Sequence, residues 1–583
     1  MQTFVAFIAP KSHNRFVEGT EVFPYHERNP EKRERMTLDT FNALKACRTP
    51  AFNAIGKSKE NPEEEVVCHL QFLNEFEIQK TTSPSPYMDT LKIDGNTLIQ
   101  AGFAPGPKFK DMLARSRELA AFFEPGNSFD KIAEILREEF PPDPPKLKMD
   151  DNRPKLNLAI VAETDEEAAN VETVIKKMNE LLLNPVITAG AVMPDACPAG
   201  SEPATIPVGG AIAVHNAIIP ASHSEDACCS MFASFFESDE NPSTELDHLL
   251  AVTRFGPGGR GANDLVHHPV LEENVWHNPF LKGLKHYAEI HMADQGDGNH
   301  FAFLGKIQFT TENLHALREM GHSELADQFK TDRPYRVLVT HHGSRGLGAK
   351  VYRRGLATAI EQTDRIAENV PKNAAWIEAS SPAGISYWEA LQYVGRWTRA
   401  NHESIHNRFL NACGKSATAS FGNAHNFVWK RGDMFYHGKG ATPAWNDETG
   451  RPLLGLIPLN MGEPILLVAG KNNEKFLGFA PHGAGRNLSR TALKAKIGDE
   501  EAQSKAIAEH TKHIDVRWYS GKADLSETPV AYKNAAAVRA QIEQFELADV
   551  LGEIHPLGCI MAGEGDEPAW KKARAEKLEA KND

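Results

Sequence analysis

Between Pro481 and Arg490 the chain reads Pro-His-Gly-Ala-Gly-Arg-Asn-Leu-Ser-Arg. A histidine is followed at once by a glycine turn and an arginine. Gly483 and Gly485 have no Cβ, so a phosphate can come up against the backbone there. Arg486 presents a planar fork of donors suited to phosphate oxygens. The imidazole of His482 is a nitrogen nucleophile that can attack phosphorus and hold it as a phosphoramidate. Alone, the segment fits a glycine turn with a hydrogen-bonded histidine equally well. The rest of the chain has to decide.

Four further segments carry metal-ligand residue types in turns: Ser224-Glu-Asp226-Ala-Cys228-Cys229-Ser, Gly296-Asp-Gly-Asn299-His300-Phe, Val339-Thr-His341-His342-Gly-Ser344-Arg345-Gly-Leu-Gly and Asn423-Ala-His425-Asn426-Phe. A single buried histidine is more often a hydrogen-bonded core residue than a ligand. Together the segments supply a carboxylate, a thiolate and several imidazoles. That donor set suits a dinuclear site for Mn²⁺, Co²⁺ or Zn²⁺.

In chain order, Asp-x-x-Cys (226–229), Gly-x-Gly-Asn-His-Phe (296–301), His-x-Gly-Ser-Arg-Gly-Leu-Gly (341–348), Ala-His-Asn (424–426), Lys-Gly-Ala-Thr-Pro-Ala (439–444) and His-Gly-Ala-Gly-Arg (482–486) resemble the RtcB family of RNA-splicing ligases. The likeness runs over about residues 191–563. It implies an α+β fold, a mixed α/β catalytic core with an extra N-terminal module. It implies a GTP-dependent enzyme with two Mn²⁺ ions that joins an RNA 3′-phosphate or 2′,3′-cyclic phosphate to a 5′-hydroxyl. Carried over position by position, Cys229 would bridge the two ions. His341 and His425 would complete one shell, Asp226 and His300 the other. His482 would be the nucleophile that takes the nucleotide. The nucleotide would lie against Asn299, His300, Phe301, Ala302 and Phe303. It would also meet His425, Asn426, Pro458, Leu459, Asn460, Met461, Ile465, Gly483, Ala484, Gly485 and Ala562.

The departures from the family pattern cluster where the base is read. The family's Pro-Asp-x-His-x-Gly is here Pro194-Asp195-Ala196-Cys197-Pro198-Ala199-Gly200, and serines 224 and 230 stand where glycines usually flank Asp-x-x-Cys. The family's base-reading glutamate, serine and near-terminal lysine align with Phe303, Ile465 and Ala562, and Pro-Gly-Ser-Met has become Pro458-Leu-Asn-Met461. Tyr532 alone keeps that neighbourhood recognisable. Apolar side chains cannot accept from guanine N1–H and its amino group, so relaxed or lost guanine specificity is expected. Two other readings stay open. One is a dinuclear phosphoesterase that processes RNA ends, and the other is a non-catalytic protein that binds them.

The elements that must position these residues are those of a large globular chain. At 583 residues more than one domain is expected. Residues 1–145 read as an accessory module helping to hold RNA, 150–565 as the catalytic domain, and 566–583 as a charged tail. Within the module, residues 92–119 suggest two short helices around Gly102-Phe-Ala-Pro-Gly-Pro107, similar to a module of tRNA nucleotidyltransferases. Phe140-Pro-Pro-Asp-Pro-Pro-Lys marks the boundary. Beyond it, residues 156–162 read as a buried strand. Residues 166–182 read as a helix with Val171, Ile175, Met178 and Leu182 along one stripe. A net charge of −14 argues against a generally basic nucleic-acid coat, though not against a local basic cleft. Seven cysteines are too few for a disulfide framework and fit a reducing cytoplasm. No apolar run is long enough to span a bilayer.

Overall fold

Runs such as Ser-Met-Phe-Ala-Ser-Phe-Phe (230–236) and Tyr-Arg-Val-Leu-Val-Thr-His-His (335–342) are short and put apolar residues at neighbouring positions, 231–233 and 337–339, as strands covered on both faces do. In the computed structural model both are central strands of the largest sheet. The structure describes residues 93–564 apart from 107, 121–127, 142–145 and 151, with the backbone of three short strands before them. The expected tail, 566–583, lies outside the described residues. The chain divides into two compact units, Met1–Pro144 and Pro145–Asp583.

The second unit is mixed α+β. Its large sheet runs in the order Ala419–Ala424, Ser230–Phe236, Tyr335–His342, Phe301–Ile307, Ala548–Met561, Ile465–Gly470, Leu454–Pro458. Every pair along that path is antiparallel. One face packs Met231, Phe235, Phe303, Val337 and Val339 against the Phe309–Tyr335 region. The other packs Phe236, Ala302, Leu338, Ile560 and Ala562 against Leu246, Ile405 and Phe409 of two helices.

A second sheet is ordered Asn426–Arg431, Met434–Lys439, Val208–His215, Ile187–Cys197, Leu156–Leu158. His425 is the single residue between an edge strand of one sheet, Ala419–Ala424, and an edge strand of the other, Asn426–Arg431. A two-stranded ribbon, Ala441–Pro443 with Phe479–Pro481, delivers the chain to His482.

Two local expectations need correction. The strand expected over 156–162 stops at Leu158, although Ala159 and Ile160 are buried beyond it. The helix is Asp165–Leu181, opened by Thr164, whose side chain accepts from the Glu167 amide. Met178 and Leu182 are buried as expected and Val171 partly so, while Val174 and Leu181 rather than Ile175 complete the buried face, because the core lies against the 174–182 side.

Helix Pro382–Ala412 starts from a Ser381 cap with proline in its first turn and buries sixteen of its residues. Its fully buried Trp397 donates from Nε1 to the Ala288 carbonyl at 3.2 Å. In the first unit, helices Gly95–Gln100, Phe109–Ala120 and Ser128–Glu139 bury Leu98, Leu119, Ile132 and Leu136 together. Arg115 grips Glu139 with two 2.8 Å hydrogen bonds across them. Among the described residues, no helix is long and apolar enough to cross a membrane.

Phe235 sits at the centre of an aromatic cluster, with ring centroids 5.2 Å from Phe329 and 5.7 Å from Phe421. Phe235→Ala should cost about 3–5 kcal/mol in urea unfolding. A loss under about 1 kcal/mol would mean that the sheet does not depend on this face.

Candidate active site

Antiparallel register brings four distant segments to one end of the large sheet. His341 pairs with Met231 on one side and Phe301 on the other, and Ser230 pairs with Ala424. Cys229, His300, His341 and His425 therefore lie within about a residue of one line across four strands. Strand alternation then sorts the histidine pair. His341 faces the donor cluster, whereas His342 faces the opposite side and stacks on His402 with centroids 3.5 Å apart.

The donors converge. Cys229 Sγ lies 3.2 Å from His341 Nε2 and 3.5 Å from His300 Nε2. His341 Nε2 is 3.1 Å from His425 Nε2, and His300 Nε2 is 2.9 Å from Asp226 Oδ2. Two overlapping sets result, Cys229–His341–His425 and Asp226–Cys229–His300, with Cys229 common to both.

Protonation states fit a cation. The Asn299 carbonyl can only accept, so the 3.2 Å contact puts a proton on His341 Nδ1 and leaves Nε2 bare. Burial, then His300 and His482, hold the His341 pKa well below its usual value, and burial with His482 and His341 does the same for His425. Both imidazoles are neutral. His425 Nδ1 is buried with no hydrogen-bond partner among the described residues. Burial pushes the Asp226 carboxyl up, but His300 and Arg345 outweigh it and keep it ionised, well below the usual carboxylate range. Burial and Asp226 together push the Cys229 thiol well above its ordinary range. A divalent cation would reverse that effect.

Arg345 braces the cluster from behind, donating from Nη1 to His300 Nδ1 at 2.7 Å and from Nη2 to Asp297 at 2.9 Å. Its guanidinium lies over Gly296, where a Cβ would fall 2.0 Å from the arginine Cζ. Only glycine fits there.

His482 is anchored from the second sheet. Asp195 Oδ2 accepts from His482 Nδ1 at 2.5 Å and from its backbone amide at 3.2 Å. The nitrogen left bare is Nε2. Gly485, at φ 74°, lets the turn close on the strand, since a Cβ would lie 2.0 Å from the Asp195 carbonyl oxygen. Lys533 donates to the carbonyls of Pro194 and Ala196 at 3.1 and 2.9 Å and so fixes both flanks of Asp195. The His482 and His425 rings are 4.8 Å apart. His482 thus stands beside the donor cluster without belonging to either donor set.

A cleft opens from His482. Phe301, Phe303, Pro458, Leu459, Asn460, Met461 and Ile465 form much of its wall, with Asn299, Gly483, Ala484 and Gly485 near the histidine. Ala302 and Ala562, expected at the nucleotide, are instead packed in the core on the far side of the sheet. The reason is alternation: Phe301 and Phe303, like Cys559 and Met561, face the cleft, so their neighbours face away. His300, His425 and Asn426 lie by the donor cluster rather than along the cleft wall.

The cleft also holds residues that the motifs leave unassigned. Glu527, 1% exposed, accepts from Arg486 Nη2 and Arg490 Nη2 at 2.6 Å each and from the Tyr532 hydroxyl at 3.0 Å. Arg486, expected to meet phosphate, is oriented by this carboxylate through its Nη2. Asp195, Lys533 and Glu527 each stand in recognisable text, but nothing local says that they touch His482 or its arginine.

The family model described as tRNA-splicing ligase RtcB matches residues 282–562. The chain is 25% identical over 391 residues to the RNA-splicing ligase RtcB of Escherichia coli K12, covering 64% of this chain and 89% of that protein. It is 28% identical over 288 residues to the RNA-splicing ligase RtcB of Mycobacterium tuberculosis, covering 46% and 63%. With the tRNA-splicing ligase RtcB of Pyrococcus abyssi it shares 25% over 293 residues, 45% and 30%. Over those residues the chain is similar to the RtcB family. The donor cluster, Asp195, His482 and Glu527 are therefore read as an RtcB-like site, and the first unit lies outside the matched region.

Asp195→Asn tests the anchor. An amide can donate to Nδ1 and so shift the proton to Nε2. Phosphoryl or nucleotidyl transfer through His482 should fall by about 10⁴-fold, as when a histidine-orienting aspartate elsewhere is made asparagine. Bound-metal content should not change. Unaltered transfer, or lost metal, would show that Asp195 does not set the tautomer.

Proposed function

We propose that this protein is an RNA ligase that joins 3′-phosphate or 2′,3′-cyclic phosphate ends to 5′-hydroxyl ends through a nucleotide carried on His482. The observation behind this reading is a histidine whose Nδ1–H is held by a buried carboxylate, next to two overlapping sets of metal-type donors. Asp226, Cys229, His300, His341 and His425 would hold two divalent cations, Mn²⁺ in the first instance, with Zn²⁺ and Co²⁺ suited to the same donors. Bound there, the cations would neutralise charge developing on phosphate oxygens.

The chain's own residues supply the rest. His482 Nε2 directs its lone pair at the α-phosphorus of a nucleoside triphosphate. The P–N bond forms as the bond to pyrophosphate breaks. Asp195 keeps the Nδ1 proton and stabilises the positive charge on the ring. The nucleoside monophosphate then passes to the RNA 3′-phosphate, and the 5′-hydroxyl displaces it. RNA ends and a nucleotide are the substrates, and the cytoplasm is the expected setting.

The nucleotide accepted is GTP by family, but the cleft favours a looser choice. Phe301, Phe303, Leu459, Met461 and Ile465 line it, and the carboxylate in it, Glu527, is occupied by two arginines and a tyrosine. Stacking is worth about 1–3 kcal/mol per base and scarcely separates adenine from guanine. With Mn²⁺ present, an acid-labile adduct at His482 should form from GTP and ATP within about an order of magnitude of each other. A preference on the order of a thousandfold for GTP would defeat the relaxed-specificity reading. No adduct from any nucleotide, with phosphate released from an RNA 3′-phosphate, would favour a hydrolase instead.

The first unit is assigned to RNA holding. Removing residues 1–144 should weaken binding of RNA ends more than it slows adduct formation. Equal loss of both would make the unit a structural part of the core.

A further inference from the structure

A second group of metal-type donors lies at the other end of the same sheet. Strand Ser230–Phe236 begins beside Cys229 in the catalytic cluster and ends just before Glu240. Seven residues of strand separate those ends by about 24 Å. Glu240, His248 and Cys413 bring a carboxylate oxygen, an imidazole nitrogen and a sulfur within 4.8 Å of one another. His248 Nε2 is already 3.8 Å from Glu240 Oε1.

Each of the three is carried on fixed backbone. The Glu240 amide donates to Ser238 Oγ at 3.2 Å, and its carbonyl accepts from Arg336 Nη2 at 2.9 Å. His248 lies in helix Pro242–Val252, opened by Asn241, whose side chain accepts from the Ser243 amide. Cys413 caps helix Pro382–Ala412, its amide donating to the Phe409 carbonyl at 3.0 Å. The Lys415 amide folds back on Leu410 at 2.9 Å. The Cys413 thiol is free and half-buried.

We propose that Glu240, His248 and Cys413 form a mononuclear zinc site, separate from the catalytic cluster, that clips the C-terminal end of helix Pro382–Ala412 to helix Pro242–Val252. A mixed O, N, S set with one thiolate suits Zn²⁺ and disfavours Mg²⁺, Ca²⁺ and Mn²⁺. Bonds of about 2.0–2.3 Å in tetrahedral geometry place donors roughly 3.3–3.8 Å apart. The Glu240–His248 separation of 3.8 Å already falls at that edge length, and small side-chain rotations would draw Cys413 in. Three protein ligands leave the fourth position to water. The clip acts on the helix that carries His402 and His406 against the back of the sheet. Its loop also leads into strand Ala419–Ala424, which ends at His425.

The full-length protein, stripped with chelator, is dialysed against Zn²⁺ and its bound metal counted. Cys413→Ser and His248→Ala should each bind one Zn²⁺ per chain fewer than the unaltered protein. His341→Ala should lose metal from the catalytic cluster and keep this one. A second measurement uses Co²⁺ on a Cys229→Ser background, where the remaining thiolate-to-cobalt charge-transfer band should vanish on adding Cys413→Ser. Equal zinc counts in the unaltered, C413S and H248A proteins, or no Cys413-dependent cobalt band, would overturn the proposal.

Discussion

His341 Nε2 stands 3.1 Å from His425 Nε2 and 3.2 Å from Cys229 Sγ in a place nearly free of water. With the His341 proton committed to the Asn299 carbonyl, its Nε2 can only accept, and the Cys229 thiol and the His425 Nε2 are the groups within reach to donate to it. Such partners must be kept in place from outside, because a buried polar group that loses its partner costs free energy. The outside force is the sheet: a hydrogen-bonded ladder covered on both faces by apolar side chains cannot let its end residues drift apart. A cation placed among the donors would displace the thiol proton and draw the lone pairs to itself. The fold supplies the rigidity in advance, so that binding need not order the ligands.

The second fixed point comes from the other sheet. Asp195 is wholly buried, and a bare carboxylate there would be costly. The hydrogen bonds from the His482 ring and amide supply partners for Oδ2, Lys533 holds the strand on either side, and Oδ1 has no hydrogen-bond partner among the described residues. His425 belongs to both halves, since the chain crosses from one sheet to the other at that residue. Any shift of one sheet against the other would therefore move His425 relative to His482. The distance between nucleophile and donor cluster is set by how the sheets pack.

The sequence makes the donor cluster legible because its residue types are rare in turns and recur in a fixed order. Asp226, Cys229, His300, His341, His425 and His482 are all found together. The mixed α+β core was readable too, since short two-sided apolar runs alternate with amphipathic helices. The cleft wall was less so. Ala302 and Ala562 were misplaced although the period-two rule was available: once Phe301 and Phe303 face the cleft, Ala302 cannot. Motif alignment treats neighbours as equals, and a strand does not. The buried face of helix Asp165–Leu181, where Val174 and Leu181 join the expected Met178 and Leu182, has a different cause. Several faces of that helix are apolar enough, and tertiary packing chooses among them. Glu527 was hidden because its partners Arg486 and Arg490 lie about forty residues away, and no local periodicity encodes such a pairing.

Glu527 decides what the two arginines can do. Two guanidinium groups in an apolar cleft repel each other, by about 4 kcal/mol at 4 Å for an effective dielectric constant of 20. A buried carboxylate between them removes that penalty and leaves a surplus of one positive charge. Burial alone would favour a neutral Arg486, yet Tyr532 and Glu527 outweigh it and keep the guanidinium charged. Each arginine spends only its Nη2 on Glu527, so Nη1 and Nε remain as donors. The carboxylate therefore orients the arginines without exhausting them. A phosphate arriving near His482 would meet a largely buried Arg486 and a half-exposed Arg490, both already fixed in direction. The entropy of ordering two long side chains is then part of folding rather than of binding.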